Sequence, residues 1–205
     1  MATTDLKRAH PGYRARQDRF DLLELPPQRV VAIDGEGDPN ASPSYRDALA
    51  TLFPLAYALK AIGRRDLGVD HVVMPLEGLW DADDLASFTT RRDKAAWRWT
   101  MLIAQPDWVD EEQLERARAE VAARGRGPAS ALARLAVLDE GRCVQTLHVG
   151  PYDDEGPVLA ELHERVLPSL GLRPDGRHHE VYLGDARRAA PERLRTILRQ
   201  PVALA

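Results

Sequence analysis

Residues 143–157 read CVQTLHVGPYDDEGP: a β-rich run, a glycine-proline turn at Gly150 and Pro151, a cluster of acids, and a second Gly-Pro step that opens a helix. The same succession stands earlier in RVVAIDGEGDP, residues 29–39, with Gly35 set against Gly150. A helical pattern follows each. After the first, Ser42 or Ser44 beside Pro43 marks a start, Leu49, Leu52, Phe53, Ala56, Leu59 and Ile62 recur at helical intervals, and Gly63 permits a stop. Pro54 inside that pattern implies a kink or a late start. After the second, Val158, Leu162, Val166 and Leu170 share one stripe from Pro157 to about Leu170.

Strands complete each cycle. In the first, HVVMPLEGLW from His71 opens as a strand and turns irregular at Pro75 and Gly78, and Trp97 to Ala104 forms the next. In the second, HEVYL and the run from Thr196 to Leu204 take those places. The chain thus reads as β-α-β-β twice. The expected fold class is α+β: duplicated strand-helix-strand-strand repeats with pseudo-twofold symmetry, and two antiparallel sheets enclosing a ligand cleft. One domain over residues 1–205 is expected, with a first repeat at about 28–105, a connecting helix at about 110–124 and a second repeat at about 142–205. The connecting helix carries Glu112 with Arg116 and Glu120 with Arg124 at i,i+4, and Gly125, Gly127 and Pro128 end it.

With 205 residues the chain is long enough to bury a core without disulfides or metals. Its 32 acidic and 28 basic side chains are mixed to a net charge of −4, which gives no general attraction for nucleic acid or anionic membrane. The single cysteine, Cys143, excludes an intrachain disulfide and reads as a buried thiol, so the cytoplasm is the expected compartment. The residues to Tyr13 are polar and resemble neither a signal peptide nor an anchor, and the apolar run from Ala48 to Ile62 is too short to span a bilayer. About 27 residues precede the first expected strand, too few for a helix-turn-helix. The polar stretch DADDLASFTTRRDK, residues 81–94, reads as a surface excursion able to fold over a pocket mouth.

Within HEVYL, Glu180 and Tyr182 are two residues apart and leave one strand face together, a carboxylate beside a phenol. Trp97 and Trp99 repeat that spacing, and large aromatics call for cover by a core or a ligand. His178 and His179 point to opposite faces, and with His148 they form no metal-ligating spacing, so neither a metal nor a cofactor is expected. The glycines of GEGDPN lack the lysine and Ser/Thr of a phosphate loop. Arg187, Arg188, Arg193, Arg195 and Arg199 read as a solvated basic face.

Five ordered blocks, VVAIDGEGDPN at Val30, PLEGLW at Pro75, WTMLIAQPDWV at Trp99, CVQTLHVGPYDDE at Cys143 and HHEVYLGDARRAAPERLRTILRQPV at His178, resemble the GyrI-like small-molecule-binding proteins, in their stand-alone branch. The resemblance implies a pocket for aromatic, often cationic, compounds and a buried glutamate at the position Glu180 matches. One subset that this chain resembles hydrolyses the cyclopropane of planar DNA-alkylating natural products of the yatakemycin type. On that resemblance Glu180 is the base for water, Tyr152 or Tyr182 the hydrogen-bond donor, and Trp80, Trp97, Trp99, Tyr182 and Glu77 the residues that meet the ligand. The alternative is a binding protein that sequesters aromatic cations, with Glu180 as countercharge. A third reading, a module that inhibits another macromolecule, has no dedicated feature.

Overall fold

The computed structural model describes residues 3–82, 93–185 and 188–205. In chain order its principal strands are β1 (Asp21–Leu25), β2 (Gln28–Glu36), β3 (Leu76–Asp81), β4 (Arg98–Ala104), β5 (Arg134–Leu138), β6 (Gly141–Val149), β7 (Leu172–Pro174), β8 (His178–Tyr182) and β9 (Arg195–Leu204). The long helices are α1 (Pro43–Ile62) and α2 (Glu111–Ala123), and residues 156–169 form a third helical stretch. The architecture is α+β with antiparallel ladders between these strands. It divides into two compact units, Met1–Ala9 with Gln28–Met74 and Asp81–Leu138, and His10–Pro27 with Pro75–Trp80 and Asp139–Ala205.

In the first unit β2 lies between β4 and β5. Val30 to Ile33 are all buried, and α1 turns Leu52, Leu55, Leu59 and Ile62 inward at helical spacing. Ser42 caps α1 by accepting from the Tyr45 N–H, and Pro43 takes the first helical position, where its missing N–H costs nothing. The late start suggested by Pro54 is therefore wrong: the helix runs through it. Ala50, whose carbonyl loses its usual donor to that proline, is exposed to water. Gly63 does not stop the chain either. It keeps helical angles, a π turn follows over Gly63–Leu67, and the left-handed residue is Gly68 at φ 66°. Gly63 instead makes room for a ring, since a Cβ there would meet Trp108 at 2.7 Å. Asp110 and Gln113 form a capping box on α2. Arg116 pairs with Asp66 and not with Glu112, while Glu120 contacts both Arg124 and Arg65.

In the second unit the strands are ordered β1-β6-β9-β8-β3, all antiparallel, with short β7 on the far end of β9. Two sequence expectations need correction. A strand at Asp21–Leu25 precedes RVVAID, where none is expected, and in HVVMPLEGLW the longer strand follows Pro75 and runs through Gly78. A proline is tolerated at the entry of a strand, and the pairing of Gly78 with Glu180 carries the backbone through. The stretch 156–169 is interrupted by a π turn at Glu161–Val166, and it packs Leu162 and Leu167 on Val144, Leu172 and Val202. It thereby covers the face of β6 and β9 that carries Val144, His148 and Thr196. Most of the excursion expected over a pocket mouth lies outside the described residues, as does Arg187. Among the described residues no helix is long and apolar enough to cross a membrane.

Gly35 leaves no space for a side chain in the first unit: a Cβ would stand 2.2 Å from the Trp99 ring. Gly35→Ala is expected to lower stability by about 1 to 3 kcal/mol through overpacking, read as a lowered urea midpoint. An unchanged midpoint would show that the ring has room to move.

Candidate functional site

Strand β8 alternates faces with period two, and it carries ionisable groups on both. On one face His179 is completely buried. Its Nδ1 lies 2.9 Å from Glu140, and its Nε2 lies 3.0 Å from Glu77 as an ion contact outside hydrogen-bond alignment. Arg199 donates to Glu140 at 2.6 Å, to Gln145 at 3.1 Å and to the Gly12 carbonyl at 2.6 Å, and the Tyr13 hydroxyl donates to Glu77 at 2.7 Å. Burial alone would lower the pKa of His179, but Glu140 and Glu77 overturn that and raise it. Burial likewise works against an ionised Glu140, yet His179 and Arg199 hold it down to about 2. This face is a buried, charge-compensated cluster. Arg199, 2% exposed, therefore does not belong to the solvated basic face expected from its neighbours.

The other face bears His178, Glu180 and Tyr182. The Tyr182 hydroxyl donates to Glu180 Oε2 at 2.7 Å and receives the Trp80 Nε1–H at 3.1 Å. Register explains the meeting. Trp80 stands opposite His178 on β3, and Gly78, without a side chain, stands opposite Glu180. His178 Nε2 approaches Glu180 Oε1 at 3.5 Å. The Tyr152 ring, 39% exposed, crosses the Tyr182 ring edge-on at 5.6 Å. The side chain of Glu180 is 14% exposed, so the carboxyl sits at the inner edge of a partly open site.

A second carboxyl lies in the same site. Glu155, just before the helical stretch 156–169, is 5% exposed, and its Oε1 has no hydrogen-bond partner. Burial, followed by the charge of Glu180, pushes it up to about 9, against a smaller opposing influence of the Thr196 hydroxyl. Thr196 pairs across the ladder with Tyr182. Burial, then Glu155 and Glu180, also lift the Tyr152 phenol to about 12.

Of the residues expected from sequence, Trp80, Tyr152, Glu180 and Tyr182 come together. Glu77 lies on the opposite face of the sheet, 1% exposed in the His179 cluster. Trp99 belongs to the first unit, 1% exposed and edge-on to Tyr45 at 5.1 Å; Trp97, in the same unit, is half-buried under the Lys94 ammonium. Sequence reasoning passed over Glu155. It is the third acid of the quoted DDE, and no spacing separates the one that turns inward from its neighbours. Among the described residues no group of three or more His, Cys, Asp or Glu side chains is placed to hold a metal.

A cavity of about 80 Å³ bounded by Phe20, Thr146, His148 and Val158 lies on the same sheet face. It is smaller than ligand pockets usually are, and its lining includes none of Trp80, Tyr152, Glu155, Glu180 and Tyr182. The larger groove, about 300 Å³, lies between α1 and α2 and is lined by Phe53, Tyr57, Val121 and Arg124, none of them a residue of this site.

Residues 100–203 match the GyrI-like small molecule binding domain. No curated protein matches the chain. Among solved structures, an uncharacterized conserved protein from Listeria innocua is 36% identical, covering 97% of this chain and 99% of its own, with a TM-score of 0.84. A hydrolase from Listeria innocua is 33% identical, covering 98% of this chain and 100% of its own, with a TM-score of 0.85. The C-terminal domain of EcmrR shares the fold at 13% identity, covering 91% of this chain and 98% of its own, with a TM-score of 0.58.

Glu155 binds its proton more tightly folded than unfolded. Its contribution to stability is fully present below about pH 4.5 and is lost as pH rises through about 9. His179, also raised, acts with the same sign. Glu155→Gln removes the first share, so near pH 9 the variant is expected to exceed the wild type by a few kcal/mol, with little difference near pH 4.5, measured by urea unfolding at both values. Parallel pH profiles for the two proteins would contradict this burial of a neutral carboxyl.

Proposed function

We propose that this chain, which belongs to the GyrI-like small-molecule-binding family, hydrolyses the activated cyclopropane of planar DNA-alkylating compounds of the yatakemycin type. It does so without a cofactor and in the cytoplasm, as self-protection or xenobiotic resistance. The observation that carries the reading is the Glu180 carboxyl, oriented by Tyr182 with Trp80 behind it and bordered by the exposed ring of Tyr152. Similarity across nearly the whole chain to a hydrolase from Listeria innocua supports it.

In such substrates the strained ring is conjugated to a dienone. Water attacks the methylene, the ring bond breaks toward the dienone, and its carbonyl becomes a phenolate. Glu180 orients the water and takes its proton; the planar rings lie against Tyr152 and Trp80. Since the Tyr182 hydroxyl is already given to Glu180, Tyr152 is the phenol left to donate toward the developing oxyanion.

The second reading is sequestration of aromatic cations without chemistry. It is favoured by the same juxtaposition of carboxyl and rings, which suits cation–π contact. Incubation with a yatakemycin-type compound, followed by mass spectrometry, separates the two. The hydrolase reading expects a ring-opened product heavier by one water, and a loss of roughly 10²- to 10⁴-fold in kcat for Glu180→Gln with KM little changed. Tight binding of a cationic dye with no product from the wild-type protein selects sequestration.

A further inference from the structure

The turn at 152–155 drives a carboxyl into the sheet. The Glu155 N–H bonds to the Tyr152 carbonyl at 3.2 Å, closing a 3₁₀ turn whose ends are a half-exposed ring and a buried acid. Tyr152 packs on Tyr182, Tyr182 pairs with Thr196, and Glu155 is influenced by both Thr196 and Glu180. The two carboxyls thus share the space over the β8–β9 ladder. They differ in their hydrogen bonding. Glu180 accepts from Tyr182, whereas Glu155 Oε1 is buried with no hydrogen-bond partner. An unpaired buried oxygen is costly, and a carboxyl in that position is held neutral.

Tyr152 cannot fill the role of acid. With its phenol lifted to about 12, it can hydrogen-bond to a growing phenolate but will not surrender its proton to one of ordinary phenol basicity, near 10. Glu155, pushed to about 9, holds a proton at neutral pH and is the stronger acid of the two.

We propose that Glu155 is the proton donor of the ring-opening reaction, delivering its carboxyl hydrogen to the substrate oxygen on which negative charge collects. The inference rests on the hydrolase reading above. The atoms balance: one water proton passes to Glu180 as its oxygen bonds to the methylene, the ring bond's electron pair moves through the dienone to the oxygen, and that oxygen takes the proton from Glu155. The product is a neutral phenol bearing a new alcohol. Glu180 then carries the proton that Glu155 has lost, and exchange through solvent restores the starting state.

The experiment measures kcat and KM against pH for the wild type, Glu155→Gln and Glu155→Asp, using two cyclopropane-fused dienones. One gives an ordinary phenol, and the other carries an electron-withdrawing substituent whose phenolate needs no proton. The wild type is expected to lose kcat above about pH 9. Glu155→Gln is expected to lose about 10²-fold of kcat on the ordinary substrate with KM unchanged, to lack the alkaline fall, and to open the activated substrate at close to the wild-type rate. Glu155→Asp recovers part of the loss. Full activity of Glu155→Gln on the ordinary substrate, or equal loss on both substrates, overturns the donor role and leaves ring opening intact. Absence of product from the wild type overturns the hydrolase reading itself, and the donor role with it. A carbon-13 titration of the Glu155 carboxyl gives a readout independent of turnover: titration above neutrality supports the donor, and titration near an ordinary carboxyl value contradicts it.

Discussion

His179 is buried between two glutamates, and the second unit is organised around keeping that arrangement neutral. Isolated charges at such a depth are prohibitive, and removing one partner of a buried set typically costs about 3 to 5 kcal/mol. Glu77 comes from β3, Arg199 from β9, Gln145 from β6, Glu140 from the residues before β6, and Gly12 and Tyr13 from the segment ahead of β1. Every strand that brings a partner has its register fixed by the need to bring it. A slip of one residue would turn His179 to the opposite face and leave the glutamates facing each other.

The same alternation settles the opposite face. Once His179 is pinned, Glu180 and Tyr182 must project to the other side, where the sheet meets Trp80, Tyr152 and the helical stretch 156–169. The two faces solve the problem of buried charge differently. One compensates it fully with Arg199 and His179. The other leaves a carboxyl oxygen of Glu155 unpaired, and such departures from full satisfaction are where function is concentrated. Because Glu155 is buried in its neutral form, its contribution to stability falls as pH rises from about 4.5 through about 9.

Much of this was legible in sequence. The strands at RVVAID, CVQTLHV, HEVYL and the C-terminus and the helix after Ser42 follow from periodicity and caps, the helix after Asp110 follows from its i,i+4 charge pattern, and the structure has them within a few residues. The pairing of Glu180 with Tyr182 followed from a spacing of two. The failures share a cause. Whether Pro54 delays a helix or Gly63 ends it depends on whether solvent can satisfy Ala50 and whether Trp108 needs the space, and neither is local. Arg199 looked like one more surface arginine because its partners, Glu140 and Gly12, are distant in sequence. Trp99 and Glu180 both repeat the two-residue pattern of a functional strand, yet Trp99 is taken up by a contact with Gly35 that no periodicity reveals.

The most direct test of the account is an indole-region NMR titration with a planar aromatic compound, since the chain has four tryptophans. The Trp80 Nε1–H, bonded to the hydroxyl that orients Glu180, is expected to shift in proportion to bound ligand, while the buried Trp99 resonance stays in place. Saturable binding that moves other indole signals and leaves Trp80 unmoved would place the guest elsewhere and contradict the site described for the second unit.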